Sequence, residues 1–230
     1  MEPGLDPSCS IGWSPRAGLL VLRNRTGTNE LSPYRKEIRM EADPDAELML
    51  RLKNGEDWIL NELMTRWQEP LVAFIYRYIG RQTEALDLAQ ETFVRVYETR
   101  HRYIVRGKFS TWLFAIAANL CRNYLRWRKR RGEPVAETWD AEDTEANESA
   151  QTPSDSPDQA AIRSESISLI RAAIDKLPHD LKTVILLYEY ESLSYAEISS
   201  VLGCSVKATE MKLYRARQSL RKRLVRSDLP

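Results

Sequence analysis

SYAEISSVLGCSVKATEMKLYRARQSLRKRLVR, residues 194–226, decides the reading of this 230-residue chain. Ser194 can cap the free N–H groups of a first helix, and Glu197, three residues on, completes a capping box. Gly203 ends that helix two residues before Ser205, which caps the next, so the connection is short and sharp. In the second helix Val206, Thr209, Leu213, Ala216, Leu220 and Leu224 fall on one stripe at helical spacing and are the expected packing side. The opposite side offers Lys207, Ala208, Met211, Lys212 and Arg215, with further basic residues towards Arg226. Between Gly203 and Arg226 only Glu210 is acidic. An amphipathic hairpin with a merely solvated basic face is the competing reading. Two caps, a glycine turn and one-sided charge together favour a DNA-binding helix-turn-helix, with Ser205, Lys207, Ala208, Met211, Lys212 and Arg215 as its candidate DNA contacts.

Upstream of this pair, Ile167, Ile170, Ile174 and Leu177 predict one helix, Pro178 a break, and Leu181, Val184, Ile185 and Tyr188 a second, so that residues 161–226 form a unit. The formal net charge of +1 conceals an uneven distribution. No Asp or Glu occurs from Arg100 to Arg131, while Glu133 to Ile162 holds nine acids and no Lys or Arg. Residues 132–160, acidic and containing Pro134, Pro153 and Pro157, read as a flexible linker that cannot build a core.

Before the linker comes FSTWLFAIAANLCRNYLRWRKRR, residues 109–131. Leu113, Ile116, Ala117, Leu120, Tyr124 and Trp127 form its expected buried stripe, with Tyr124 and Trp127 read as core aromatics. Asn119, Arg122, Asn123, Arg126 and Arg130 lie on the polar side. A basic face beside aromatic residues can hold a phosphate backbone and stack unpaired bases, which makes single-stranded DNA a candidate ligand and leaves Phe109 and Trp112 open between core and contact. A helix over about 83–99 is expected to bury Leu86, Ala89, Phe93 and Val96 and to expose Asp87, Gln90, Glu91 and Arg95, with Glu91 and Arg95 spaced to pair. From Glu56 to Ile79 the apolar period is again helical, with Pro70 kinking or dividing it and Gly80 ending it. Asp43 caps a helix that starts at Pro44. Residues 43–131 thus form the first of two small helical domains. Residues 1–42, with four prolines in the first 39, show no sustained period and read as a disordered arm, which makes Met40 a candidate translation start.

Cys9, Cys121 and Cys204 are far apart, and His101 and His179 lack neighbouring ligands, so no disulfide, metal or cofactor is expected. No apolar run suits a membrane helix, and Leu19 to Leu22 is too short for a signal-peptide core, so no membrane insertion and a cytoplasmic location are expected. Neither a phosphate-cradling glycine loop nor a catalytic triad occurs, so no enzymatic activity is expected.

The order of these parts resembles the bacterial extracytoplasmic-function sigma factors, the small two-domain specificity subunits of RNA polymerase. DLAQETFVRVY, residues 87–97, resembles the family's helix for docking on the polymerase largest subunit. Asp87, Gln90, Glu91, Thr92 and Phe93 match, and Leu86 stands where Glu is usual. The 109–131 segment resembles the part that melts and reads the minus-ten element on the non-template strand, matching at Trp112, Leu113, Ile116, Ala117, Asn119 and Arg126, with Asn123 in place of the usual Asp. AIDKLPHDLKTVILLYEYESLSYAEISSVLGCS followed by LYRAR resembles the domain for the minus-35 element, with Thr209 and Glu210 where Val and Lys are common. The resemblance implies an all-α chain: two small helical domains joined by an acidic flexible linker, the C-terminal one a helix-turn-helix. It also implies a non-enzymatic initiation factor whose partners are core RNA polymerase, through its largest and second-largest subunits, and promoter DNA, duplex upstream and melted downstream. An anti-sigma factor is a further partner known for many relatives. A free-standing helix-turn-helix repressor is the chief alternative, but it leaves residues 87–97 unexplained. An adaptor using its basic faces on an acidic protein is a third.

Overall fold

The computed structural model describes residues 9–14, 19–24, 43–132 and 167–227. Most of the linker, the candidate start at Met40 and much of the N-terminal arm lie outside them. Within the arm, β1 (Cys9–Ser14) and β2 (Leu19–Asn24) pair as an antiparallel ribbon, which corrects the expectation of no regular structure there. The register sets Ile11 opposite Leu22 and Trp13 opposite Leu20. Apolar Cys9, Ile11 and Trp13 alternate with Ser10, Gly12 and Ser14, a period-two pattern only six residues long and so too short to stand as a sustained strand period in the sequence.

The rest of the described chain is helical: α1 (Pro44–Lys53), α2 (Ile59–Ile79), α3 (Gln82–Thr99), a 3₁₀ turn (Arg100–Arg102), α4 (Phe109–Arg130), α5 (167–175), α6 (His179–Glu189), α7 (Tyr195–Leu202) and α8 (Val206–Ser227). Asp43 joins two of these helix starts. One carboxylate oxygen accepts from Asp45 N at 3.2 Å to cap α1, and the other accepts from Phe109 N at 2.5 Å at the start of α4. Pro70 does not divide α2, which runs through it for 21 residues and ends where Gly80 turns left-handed at φ 77°.

Helices α1 to α4 pack around Leu63, Phe74, Ile75, Phe93, Phe109, Leu113 and Phe114. Their aromatic rings meet edge to face, with Phe74 and Phe114 centroids 5.1 Å apart and Trp67 6.1 Å from both Phe109 and Phe114. Trp67 Nε1 donates to Asp45 Oδ2 at 3.0 Å, so the one polar atom of that ring is satisfied. Helices α5 to α8 close around Ile174, Leu187, Ile198, Leu213, Ala216 and Leu220. Inside them Lys182, only 3% exposed, is offset by Asp175 at 2.5 Å. A buried ion is tolerated only with such a partner.

The two helical units also pack on each other, α4 against α7 and α2 against α6. Tyr78 of α2 is fully buried there and shares a 3.0 Å hydrogen bond with Thr183 of α6. Burial pushes the Tyr78 phenol up to about 12.

Candidate nucleic-acid and polymerase interface

The helix-turn-helix forms as the local signals require. Glu197 N donates to Ser194 Oγ at 3.3 Å and Ser194 N donates to Glu197 Oε2 at 2.8 Å, completing the capping box of α7. Gly203 takes the left-handed conformation at φ 63°, a geometry a side chain would strain. Ser205 then caps α8 by accepting from Ala208 N at 3.2 Å. Thr209, Leu213, Ala216 and Leu220 are buried as expected. Val206 is not: at 48% exposure it leaves the packing stripe, although Thr209, three residues on, is fully buried.

Of the expected upstream-element residues, Ser205, Lys207, Met211 and Arg215 are exposed and Ala208 is half-buried. Lys212 is held instead, with Nζ 2.7 Å from Asp180 Oδ2. Sequence reasoning missed Tyr214, which is 57% exposed and accepts a hydrogen bond from Gln218 at 2.7 Å. Its place seven residues after Lys207 on the same face was the signal that could have found it.

In the first unit α4 is turned relative to the expected stripe. Phe109, Leu113, Phe114, Ala117, Ala118, Cys121 and Leu125 are buried, while Ile116, Leu120 and Tyr124 are flanking and Trp127 is 40% exposed. Phe109 is therefore withdrawn as a DNA contact: at 0% exposure it is a core ring and cannot stack on a base. Trp112 is half-buried against Tyr103, with ring centroids 5.0 Å apart. Trp127, expected in the core, is displayed between Tyr124, with which it stacks at 6.3 Å, and Arg131, whose guanidinium lies 4.2 Å from its ring centroid. Asn119, Asn123, Arg126 and Arg130 are exposed. Asn123, Arg126, Lys129 and Arg130 line an open basic depression of about 660 Å³.

On α3, Asp87 and Gln90 are exposed, and Glu91 is paired with Arg95 at 2.7 Å. Leu86 is 42% exposed and Ala85 is buried in its place, which moves the packing side by one residue. A second groove, of about 550 Å³, runs between α3 and α4 and brings Asp87 and Leu88 beside Asn123, Tyr124, Trp127 and Arg130. Residues expected to meet polymerase and residues expected to meet DNA thus share one open surface.

Arg122, half-buried, is set apart from that surface. Its guanidinium lies 3.5 Å from Asp180 Oδ1, the carboxylate that also holds Lys212. The Lys212 ammonium, with Arg122 adding to it, holds the Asp180 carboxyl below its usual range. His179 beside it is pushed down by burial and by Lys182, Arg122 and Arg126. Among the described residues no group of side chains is arranged to hold a metal, and no helix is long and apolar enough to cross a membrane.

Two helical units, one displaying basic and aromatic residues beside an acidic helix and the other a helix-turn-helix, define a class that the comparisons identify. Residues 63–131 match Sigma-70 region 2, and residues 167–220 match Sigma-70, region 4. The chain is 33% identical over 184 residues to the RNA polymerase sigma-H factor of Pseudomonas aeruginosa, covering 79% of this chain and 94% of the relative. It is 30% identical to the ECF RNA polymerase sigma-E factor of Escherichia coli, covering 76% and 92%. The structure of CnrH in complex with the cytosolic domain of CnrY aligns with a TM-score of 0.58 at 25% identity, covering 81% of this chain and all of that one. The chain belongs to the extracytoplasmic-function sigma factors of RNA polymerase. It is a transcription initiation factor whose partners are core RNA polymerase and promoter DNA.

Proposed function

We propose that the three surfaces divide the work of initiation among named residues. On α3, Asp87, Gln90 and the Glu91–Arg95 pair dock on the largest polymerase subunit. On α4, Trp112, Asn119, Arg122, Asn123, Arg126 and Arg130 engage the melted minus-ten strand. The exposed face of α8, Ser205 to Arg215, enters the major groove of the minus-35 element, where Lys and Arg side chains reach base edges and phosphates. The observation that carries this division is the shared α3–α4 groove, in which Asp87 lies beside Asn123, Trp127 and Arg130. A polymerase helix seated on α3 would bring its bound DNA strand directly against α4. Residues 43–131 and 161–226 act as the two domains, joined by the acidic residues 132–160.

In this reading the chain works without a catalytic group of its own. Its contribution is binding free energy, which offsets an unstacking cost of roughly a few kcal/mol per flipped base. In this reading it acts in the cytoplasm, beside the core polymerase it serves. An anti-sigma factor is a further partner in this reading, and the similar CnrH likewise forms a complex with a second protein, the cytosolic domain of CnrY.

The test is reconstitution. Purified chain, core polymerase and a promoter library should yield new specific transcripts, and Asp87→Arg should abolish competition for core without unfolding the protein. DNA binding without new transcripts would instead support a free-standing repressor.

A further inference from the structure

Six acidic residues lie among the described residues 167–227 of the second unit, and five of them are held by a cation. Asp175 meets Lys182, Asp180 meets Lys212 and Arg122, Glu189 meets Arg217, Glu191 meets Arg77, and Glu197 meets Lys108. Glu210 is the exception. It stands exposed in the second turn of α8, and its carboxylate makes no hydrogen bond or ion pair with a described residue. Lys207, three residues earlier at a spacing that suits a pair, is exposed and leaves it free.

A lone carboxylate on a face otherwise suited to DNA is unfavourable unless it finds a donor. Lys207 and Arg215 attract phosphate, whereas a glutamate repels it. Its charge is stabilised only where a base edge presents an N–H group. In the major groove guanine shows two acceptors and thymine an acceptor and a methyl group, so neither suits a carboxylate. Adenine sets its N6 amino group beside the N7 acceptor, a pair matched by the amide of Asn or Gln rather than by an acceptor-only group. Cytosine offers its N4 amino group alone. Around Glu210 the exposed side chains are Val206, Lys207, Met211 and Tyr214, none of them anionic. Glu210 is therefore the one acceptor-only side chain in the first three turns of α8.

We propose that Glu210 is a specificity-determining residue of α8, accepting a hydrogen bond from the N4 amino group of a cytosine in the major groove of the minus-35 element. Lys207 and Tyr214 bracket it, about 10 Å apart along the helix at ~1.5 Å per residue, so the cytosine falls within the block of about three base pairs that they span. The inference deepens the functional reading above and rests on it, because Glu210 meets a base only if α8 enters the groove.

The test uses the full chain with core polymerase and a promoter library randomised across the minus-35 element, with transcripts counted for each base at each position. Wild type should favour cytosine over the other bases at one position by roughly tenfold, the size of a single base contact. Glu210→Gln should move that preference to adenine, whose N6 and N7 fit an amide, and Glu210→Ala should flatten it. Both variants should leave the preferences at the remaining positions unchanged. Glu69→Gln, which removes one exposed negative charge on α2, is the control and should select the wild-type sequences. A glutamate that is merely solvated predicts a different result: Glu210→Ala would raise transcription evenly on all sequences and leave every base preference as it was. That outcome, or a wild type without a cytosine preference, overturns the inference alone. No specific transcripts from the wild type would overturn the functional reading, and the inference with it.

Discussion

Helices α4 and α8 are each 22 residues long and each carries an arginine-rich face, yet they are placed in the fold quite differently. Helix α8 packs on α6 and α7 and leaves one side open, whereas α4 is packed by α1, α2, α3 and α7. A helix covered on one side must write that side into its sequence as a single apolar stripe. A helix covered on several sides need not, and its binding surface is whatever its neighbours leave uncovered. The basic face of α8 is therefore an intrinsic property of the helix, while that of α4 is defined by the fold around it.

The strongest way to break this contrast is Phe109→Ala. Phe109 is fully buried at the first turn of α4, against Trp67 and Trp112. Its truncation should cost about 3–5 kcal/mol by transfer loss and cavity formation. Chemical denaturation measures this, and a loss below about 1 kcal/mol would return Phe109 to the surface.

Next in size is an effect of pH on how the unit holding α8 sits against the unit holding α4. Glu191, just after α6, has a side chain 11% exposed beside Arg77 of α2. Burial pushes its carboxyl up to about 7, against the opposing pull of Arg77. A carboxyl raised in the folded state favours folding below its ordinary range near 4.5, and that contribution is lost as pH rises through about 7. His179, lowered by burial, acts in the opposite sense by disfavouring folding when it must be protonated. Asp180 and Glu197 are lowered and lose their contribution in more acid solution. Glu191→Gln isolates the one group. The variant should be more stable than wild type by about 2 kcal/mol at pH 8, with the gap closing towards pH 5. A gap independent of pH would show that Glu191 is not titrating at this contact.

A smaller loss is expected from Ser194→Ala, which removes the cap of α7 and loosens one of the two supports of α8. The cost should be about 1 kcal/mol, read by denaturation, with DNA binding weakened no more than stability requires. Capping of this kind was legible from residues 194–205 because every partner lies within a few positions. The same holds for the Gly203 turn, the Asp43 cap and the buried residues of α8 after its first turn. The rotation of α4 was not legible, since Phe114, Ala118 and Cys121 are buried by helices distant in sequence. Nor was the pairing of Asp180, whose partners lie 58 and 32 residues away. On α3 the exchange of Leu86 for Ala85 follows the same logic, because a hydrophobic residue at the edge of a stripe is assigned a side only by what packs there.

Trp127→Ala carries a far smaller expected loss of stability than Phe109→Ala and separates the two accounts of α4 most sharply. If α4 buried the stripe through Leu120, Tyr124 and Trp127, truncating the indole would cost as much as truncating Phe109. With Trp127 40% exposed, what is lost is its stacking on Tyr124 and the Arg131 guanidinium above it. The stacking is worth about 0.5–1.5 kcal/mol and the exposed cation–π contact about 0.5–1 kcal/mol. The ratio of the two alanine costs is therefore the informative quantity, since it does not depend on the absolute stability of the chain. A ratio of about two or more in favour of Phe109 supports the rotated helix, and near-equal costs would restore the original stripe. The same variant carries a functional readout. Trp127 lines the α3–α4 groove with Asp87 and Asn123, so its removal should reduce open-complex formation with core polymerase while leaving duplex binding by α8 unchanged. A loss confined to duplex binding would instead place the aromatic surface with the second unit's work.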